Sequence, residues 1–137
     1  MAALFKLEVH TPYRRFFAGE VEALTLTLSD GEITVYARHS HFTAPAAACV
    51  LRVKDKTGRW KEAFIAEGIL EVKSHNTILL TDAAEWPGEI DRERAEEAKR
   101  RAEETISQST FKFESANAEA ALKRARLRLR VAASQFR

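Results

Sequence analysis

Four arginines in the second half of the chain stand at spacings that would let them act together. Arg94 and Arg101 are seven residues apart, and Arg124 and Arg128 are four apart, which is about two turns and one turn of a helix. Guanidinium groups hold phosphate or carboxylate oxygens through paired N–H donors, and each pair could face the neighbouring helix or solvent. Asp91, Arg94 and Ala95 sit at i, i+3 and i+4, on one helix face, where a carboxylate acceptor and a small side chain flank the first arginine. The plainer reading stays open. Asp91 is well placed as a helix N-cap, and Arg124, Arg126, Arg128 and Arg130 point around much of a helix, so some of them are solvated surface.

Other chemistry has little support. His39 and His41 are two apart and could face the same way on a strand, but no third ligand stands nearby, so no metal is expected. The lone Cys49 lies between Ala48 and Val50 and reads as a buried thiol. There is no glycine-rich phosphate loop and no serine, cysteine or histidine with the neighbours of a catalytic triad, so no catalytic residues are expected. A net charge of +2 is too mild for a nucleic-acid footprint. With 45% hydrophobic and 31% charged residues, no apolar run approaches the roughly 20 residues that span a bilayer. The opening MAALFKLEVHT has no export-signal pattern, and cytoplasmic folding is expected.

The elements that must position these groups change character near Pro87 and Gly88. Before them, Phe5, Leu7 and Val9 alternate with Lys6, Glu8 and His10, and Leu24, Leu26 and Leu28 alternate up to a hairpin turn at Ser29-Asp30-Gly31. Further apolar runs at 49–53, 60–65, 69–72 and 78–80 are broken by turn residues, which predicts an antiparallel sandwich or barrel over the first 85 residues. After the break, Asp91 precedes a run of Ala, Glu, Lys and Arg. Ala95, Ala98, Ala102 and Ile106 form one stripe, Ser107 to Thr110 a loop, and Ala118, Leu122, Ala125, Leu129 and Ala132 a second stripe. The expected fold is α+β: a β-sandwich domain over 1–86 and an antiparallel two-helix hairpin over 87–137. Stripes of alanine bury little area, so the hairpin should be marginal by itself. The first helix carries seven acids against five bases from Glu89 to Glu104, and Lys123, Arg124, Arg126, Arg128 and Arg130 make the second basic.

These residues resemble the epsilon subunit of the bacterial F-type rotary ATP synthase over nearly the whole chain. LEVHTP, GEVEALTL, DGEITVYARH, FIAEGILEVKSHNTILLTDAAE and IDRERAEEAKRRAEE follow the family's order and spacing, and KRARLRLRVA is similar to its second arm helix. The resemblance implies a ten-stranded sandwich that grips the gamma subunit and rests on the c ring at the cytoplasmic face of the membrane. It also implies a helical arm that blocks ATP hydrolysis by the alpha and beta subunits when extended. Relatives bind ATP on the folded arm through I/L-D-x-x-R-A, present here as Ile90 to Ala95. By resemblance, Glu85, Ile90, Asp91 and Ala95 would serve adenine, and Arg94, Arg101, Arg124 and Arg128 the phosphates. ATP, with or without Mg, would thus be a regulatory ligand, and no cofactor is required. Glu32 and His39 are carried over as rotor contacts. The family's GELGILPGH is GEITVYARH here, without its second glycine and its Pro-Gly, so the loop should differ in shape. A free-standing ATP-sensing module with no rotor partner is the alternative.

Overall fold

The structure, a computed structural model, describes residues 3–134, so the outermost ends of both expected domains fall outside the described residues. The chain divides into two compact units, Met1–Glu85 and Trp86–Arg137. Among its described residues the first holds nine strands: β1 (Phe5–His10), β2 (Arg15–Leu28), β3 (Gly31–Tyr36), β4 (Phe42–Ala46), β5 (Cys49–Asp55), β6 (Trp60–Ile65), β7 (Gly68–Val72), β8 (Asn76–Thr81) and β9 (Ala84–Glu85).

The fourteen-residue β2 joins the layers of the sandwich. Its first half pairs antiparallel with β1, from Arg15↔His10 to Val21↔Phe5, and its second half pairs with β3 on one side and β5 on the other. Ala23, Leu24, Thr25 and Leu26 are therefore all buried, on both faces of the strand. From β2 the ladder runs through β5 and β6 to β9 in one direction, and through β4, β7 and β8 to β1 in the other. Alternation sets which side chains enter the core: Phe5, Leu7 and Val9 are buried while Lys6 points outward. Leu24, Leu51, Phe64, Ile65, Leu70 and Leu79 complete the apolar interior. Thr25 is buried among them, its hydroxyl 2.9 Å from that of Thr34 on β3. Gly68 is held to glycine by space, since a Cβ there would collide with the Leu80 carbonyl of the neighbouring strand.

The arrangement departs from a wholly antiparallel sheet. β1 and β8 run parallel, Lys6 opposite Asn76 through His10 opposite Leu80. They are distant in sequence, so no hairpin constrains their direction. The strands β4 and β9 also lie outside the expected set. β4 contains Pro45, which ordinarily argues against a strand, but β4 pairs with β2 only at Leu28↔Ala46, so few ladder bonds on that side depend on a proline N–H.

The second unit begins with a single 3-10 turn at Pro87–Glu89, followed by α1 (Arg92–Gln108) and α2 (Lys112–Ser134). The two helices pack on each other, and their buried residues include Ala95 and Ala102 on α1 and Ala118, Ala125 and Ala132 on α2. These alanines recur every seven residues, the spacing that keeps a seam facing its partner over successive turns. Ala98, expected in the α1 stripe, is exposed instead: it lies to one side of the Ala95–Ala102 line.

Candidate functional site

The entry into α1 is built by local hydrogen bonds. The Trp86 N–H donates to Glu89 Oε1 at 2.9 Å, and Ile90, extended and buried, leads to Asp91. Asp91 is the N-cap: its backbone is extended (φ −83°, ψ 101°), its Oδ1 accepts from the Arg94 N–H at 3.2 Å, and its carbonyl accepts from the Ala95 N–H at 3.1 Å. The capping role is thus realised, and the carboxylate remains exposed with further lone pairs to offer. Ala95 is buried at 4% exposure, while Arg94 is exposed.

Helix geometry places the arginines. At about 100° per residue, Arg94 and Arg101 each sit one residue before a buried alanine of α1, and Arg124 one residue before buried Ala125 of α2. Arg128, three residues after Ala125, falls on that same flank. In an antiparallel pair, residues that precede the seam on either helix lie along the same side of it, so these four arginines share one face of the hairpin. Arg124 and Arg128 are half-buried and Arg101 is exposed. The same face holds a groove of about 430 Å³ lined by Ala98, Arg101, Ala102, Thr105, Glu114, Asn117, Ala118 and Ala121. Arg101 marks the boundary between the groove, which runs toward the loop joining the helices, and the stretch bearing the other three arginines.

Sequence reasoning did not anticipate this groove, nor the state of Arg101. Its Nη2 donates to Glu97 Oε1 at 2.7 Å, one turn back, and Arg100 similarly meets Glu104 at 3.1 Å. The acid-to-base spacing of four residues was the available signal. Glu85 is the last residue of β9, opposite Phe64, in the other unit.

Glu32 and His39 lie at opposite ends of β3. Glu32 faces Thr27 at its start, and His39 follows Tyr36 at its end. Six residues separate them, of which the last two, Ala37 and Arg38, turn out of the strand. His39 Nδ1 is 3.1 Å from the Ser40 carbonyl, and its ring meets Phe42 edge-on at 5.3 Å. Arg38 takes a left-handed backbone (φ 64°), the conformation glycine adopts most readily. Cys49 is buried and its Sγ accepts from the Thr27 N–H at 3.4 Å. Among the described residues no group of three His, Cys, Asp or Glu could hold a metal ion, and no helix is long and apolar enough to cross a membrane.

Two family models match the chain: the beta-sandwich domain of the ATP synthase delta/epsilon chain over residues 4–87, and its long alpha-helix domain over 89–133. The ATP synthase epsilon chain of Caldanaerobacter subterraneus subsp. tengcongensis is 49% identical over 96% of both chains. That of Caldicellulosiruptor bescii is 47% identical over 95% of this chain and 94% of its own. Among solved structures, a chain of the Euglena gracilis mitochondrial ATP synthase OSCP/F1/c-ring superposes with a TM-score of 0.82 at 24% identity, covering 96% of this chain and 82% of that one. A chain from the central stalk and c-ring of the Tetrahymena thermophila enzyme gives 0.63 at 11% identity, covering 96% and 98%. These two likenesses concern the fold. The relatives are subunits of an ATP synthase and not its catalytic chains, and with both models matched in order along nearly its whole length, this chain belongs to the ATP synthase delta/epsilon family.

Proposed function

We propose that the chain is a rotor subunit of a proton-translocating F-type ATP synthase, peripheral on the cytoplasmic face of the cell membrane. The sandwich holds the gamma subunit and meets the c ring, with Glu32 and His39 as rotor contacts. The hairpin regulates hydrolysis. Folded, it binds ATP; extended, it reaches the alpha and beta subunits, since about 45 helical residues rise roughly 65 Å. The observation that carries this reading is the hairpin itself, an alanine seam with four arginines along one flank. A seam that buries little leaves the open and closed arms close in free energy, and a polyanion bridging Arg94 and Arg101 to Arg124 and Arg128 favours the closed arm. Asp91, Ile90 and Ala95 would meet the adenine end.

Two measurements test it. Calorimetric titration of the full chain with ATP, with and without Mg, should give saturable heat that Arg124→Ala and Arg128→Ala weaken together. In the reconstituted complex, truncation after Pro87 should raise ATP hydrolysis while gamma still co-purifies. A chain that never associates with gamma would overturn the rotor reading, and unchanged hydrolysis on truncation would overturn the regulatory one.

A further inference from the structure

We propose that Glu97 sets how tightly the hairpin holds a nucleoside triphosphate, by competing with its terminal phosphates for the Arg101 guanidinium. The inference rests on the nucleotide reading above and adds to it a residue that this reading does not use.

Relative to the seam alanine Ala102, Arg101 lies about 100° around the helix and Glu97 about 140°. Glu97 is therefore on the far side of Arg101 from the groove. Arg101 lines that groove, yet its Nη2 is turned to Glu97 Oε1 at 2.7 Å. The ion pair draws the guanidinium outward, away from the face shared with Arg94, Arg124 and Arg128. Both partners are open to water, with side-chain exposures of 72% and 53%, so the pair is weak and a phosphate can displace it. Arg101 thus has two alternative partners: a carboxylate of its own helix, about 40° farther from the seam, or an anion on the hairpin face. The carboxylate also adds a negative charge beside a ligand that is itself strongly negative.

Glutamine keeps the length and helix propensity of glutamate and removes only the charge. Expected for Glu97→Gln in the full chain is ATP binding about three- to fivefold tighter at low salt, with the gain shrinking as ionic strength rises. Adenosine, which has no phosphates, should bind both forms equally. In an Arg101→Gln background the same change should give less than a twofold gain, because the guanidinium being contested is gone. Equal ATP affinity in wild type and Glu97→Gln overturns the inference alone. So does an equal gain with and without Arg101, or an equal gain for adenosine. If neither form binds ATP, the nucleotide reading falls and this inference with it; binding only by Glu97→Gln would support both.

Discussion

In the sandwich, Leu7, Leu24, Leu70 and Leu79 are fully excluded from solvent; along the hairpin seam the corresponding positions are Ala95, Ala102, Ala118, Ala125 and Ala132. Burying a leucine side chain is worth about 1.5 to 3 kcal/mol, and a single methyl or methylene group about 0.8. The first unit is held by many large apolar contacts spread over its strands, the second mainly by a line of alanine methyl groups along two helices, with Val131 and Ile90 the larger buried side chains. One chain therefore combines a body held by large buried side chains with an arm held by small ones, the condition that the proposed ligand-controlled closure requires. The charges follow the same division. Arg52–Glu62 and Lys54–Glu22 tie neighbouring strands of the body, at 3.1 and 3.3 Å, whereas Arg100–Glu104 and Arg101–Glu97 run along α1.

The strongest way to break this contrast is to make the body resemble the arm. Leu24→Ala removes a fully buried side chain from the strand that joins the two layers, and should cost about 2 to 5 kcal/mol in urea unfolding followed by strand circular dichroism. A loss below 1 kcal/mol would show that the body is not held by its large side chains. The reverse change makes the arm resemble the body. Ala102→Leu inserts bulk where helices approach closely and should destabilise the hairpin by about 1 to 3 kcal/mol, seen as faster amide exchange in α1 and α2 with strand amides unchanged. Equal or slower exchange in the helices would mean that the seam has room to spare.

The same contrast governs what could be read from the sequence. Strong alternation located β1 closely, because a half-buried strand imposes its period on its own residues, and the apolar run 60–65 located β6. The parallel pairing of β1 with β8 left no local trace, since it depends on how distant strands meet. β9 is two residues long, too short to carry a period. On the arm, the arginines and the cap at Asp91 were legible because helix spacing fixes which residues share a face. The groove beside Arg101 was not, because it is the space left between two helices, and no single helix defines it. Ala98 illustrates the limit: alanine suits a seam and an exposed helix surface equally well, so its identity did not say which it would be.

A subtler comparison concerns two carboxylates that each serve backbone N–H groups. Asp91 caps α1 through one such bond, at 3.2 Å. Replacing it with alanine should cost about 0.5 to 2 kcal/mol, confined to the first turn of α1 and read there by amide exchange. Exchange unchanged at Ala95 and its neighbours would show that the 3-10 turn before α1, not the cap, fixes the start of the helix.

Asp55 organises the turn between β5 and β6 through three bonds: from the Thr57 hydroxyl at 2.6 Å, the Thr57 N–H at 2.9 Å and the Arg59 N–H at 3.1 Å. These bonds favour the charged form, the Thr57 hydroxyl most and the Arg59 N–H next, and hold the Asp55 pKa below its ordinary 3.8. A carboxylate with a lowered pKa in the folded state contributes stability above the unfolded value, and that contribution is lost as the pH falls through the folded value. The pH dependence that it causes is therefore confined to pH below about 3.8, where that stability is lost. Thr57→Ala removes the largest cause, so the Asp55 pKa, followed by NMR of its carboxyl carbon, should move upward toward the ordinary value. The turn should then loosen at a slightly higher pH, while the arm, which has no part in it, keeps its own acid response. An Asp55 pKa that does not move would assign the shift to the two backbone N–H donors instead, and the turn would owe its order to chain geometry more than to the threonine side chain.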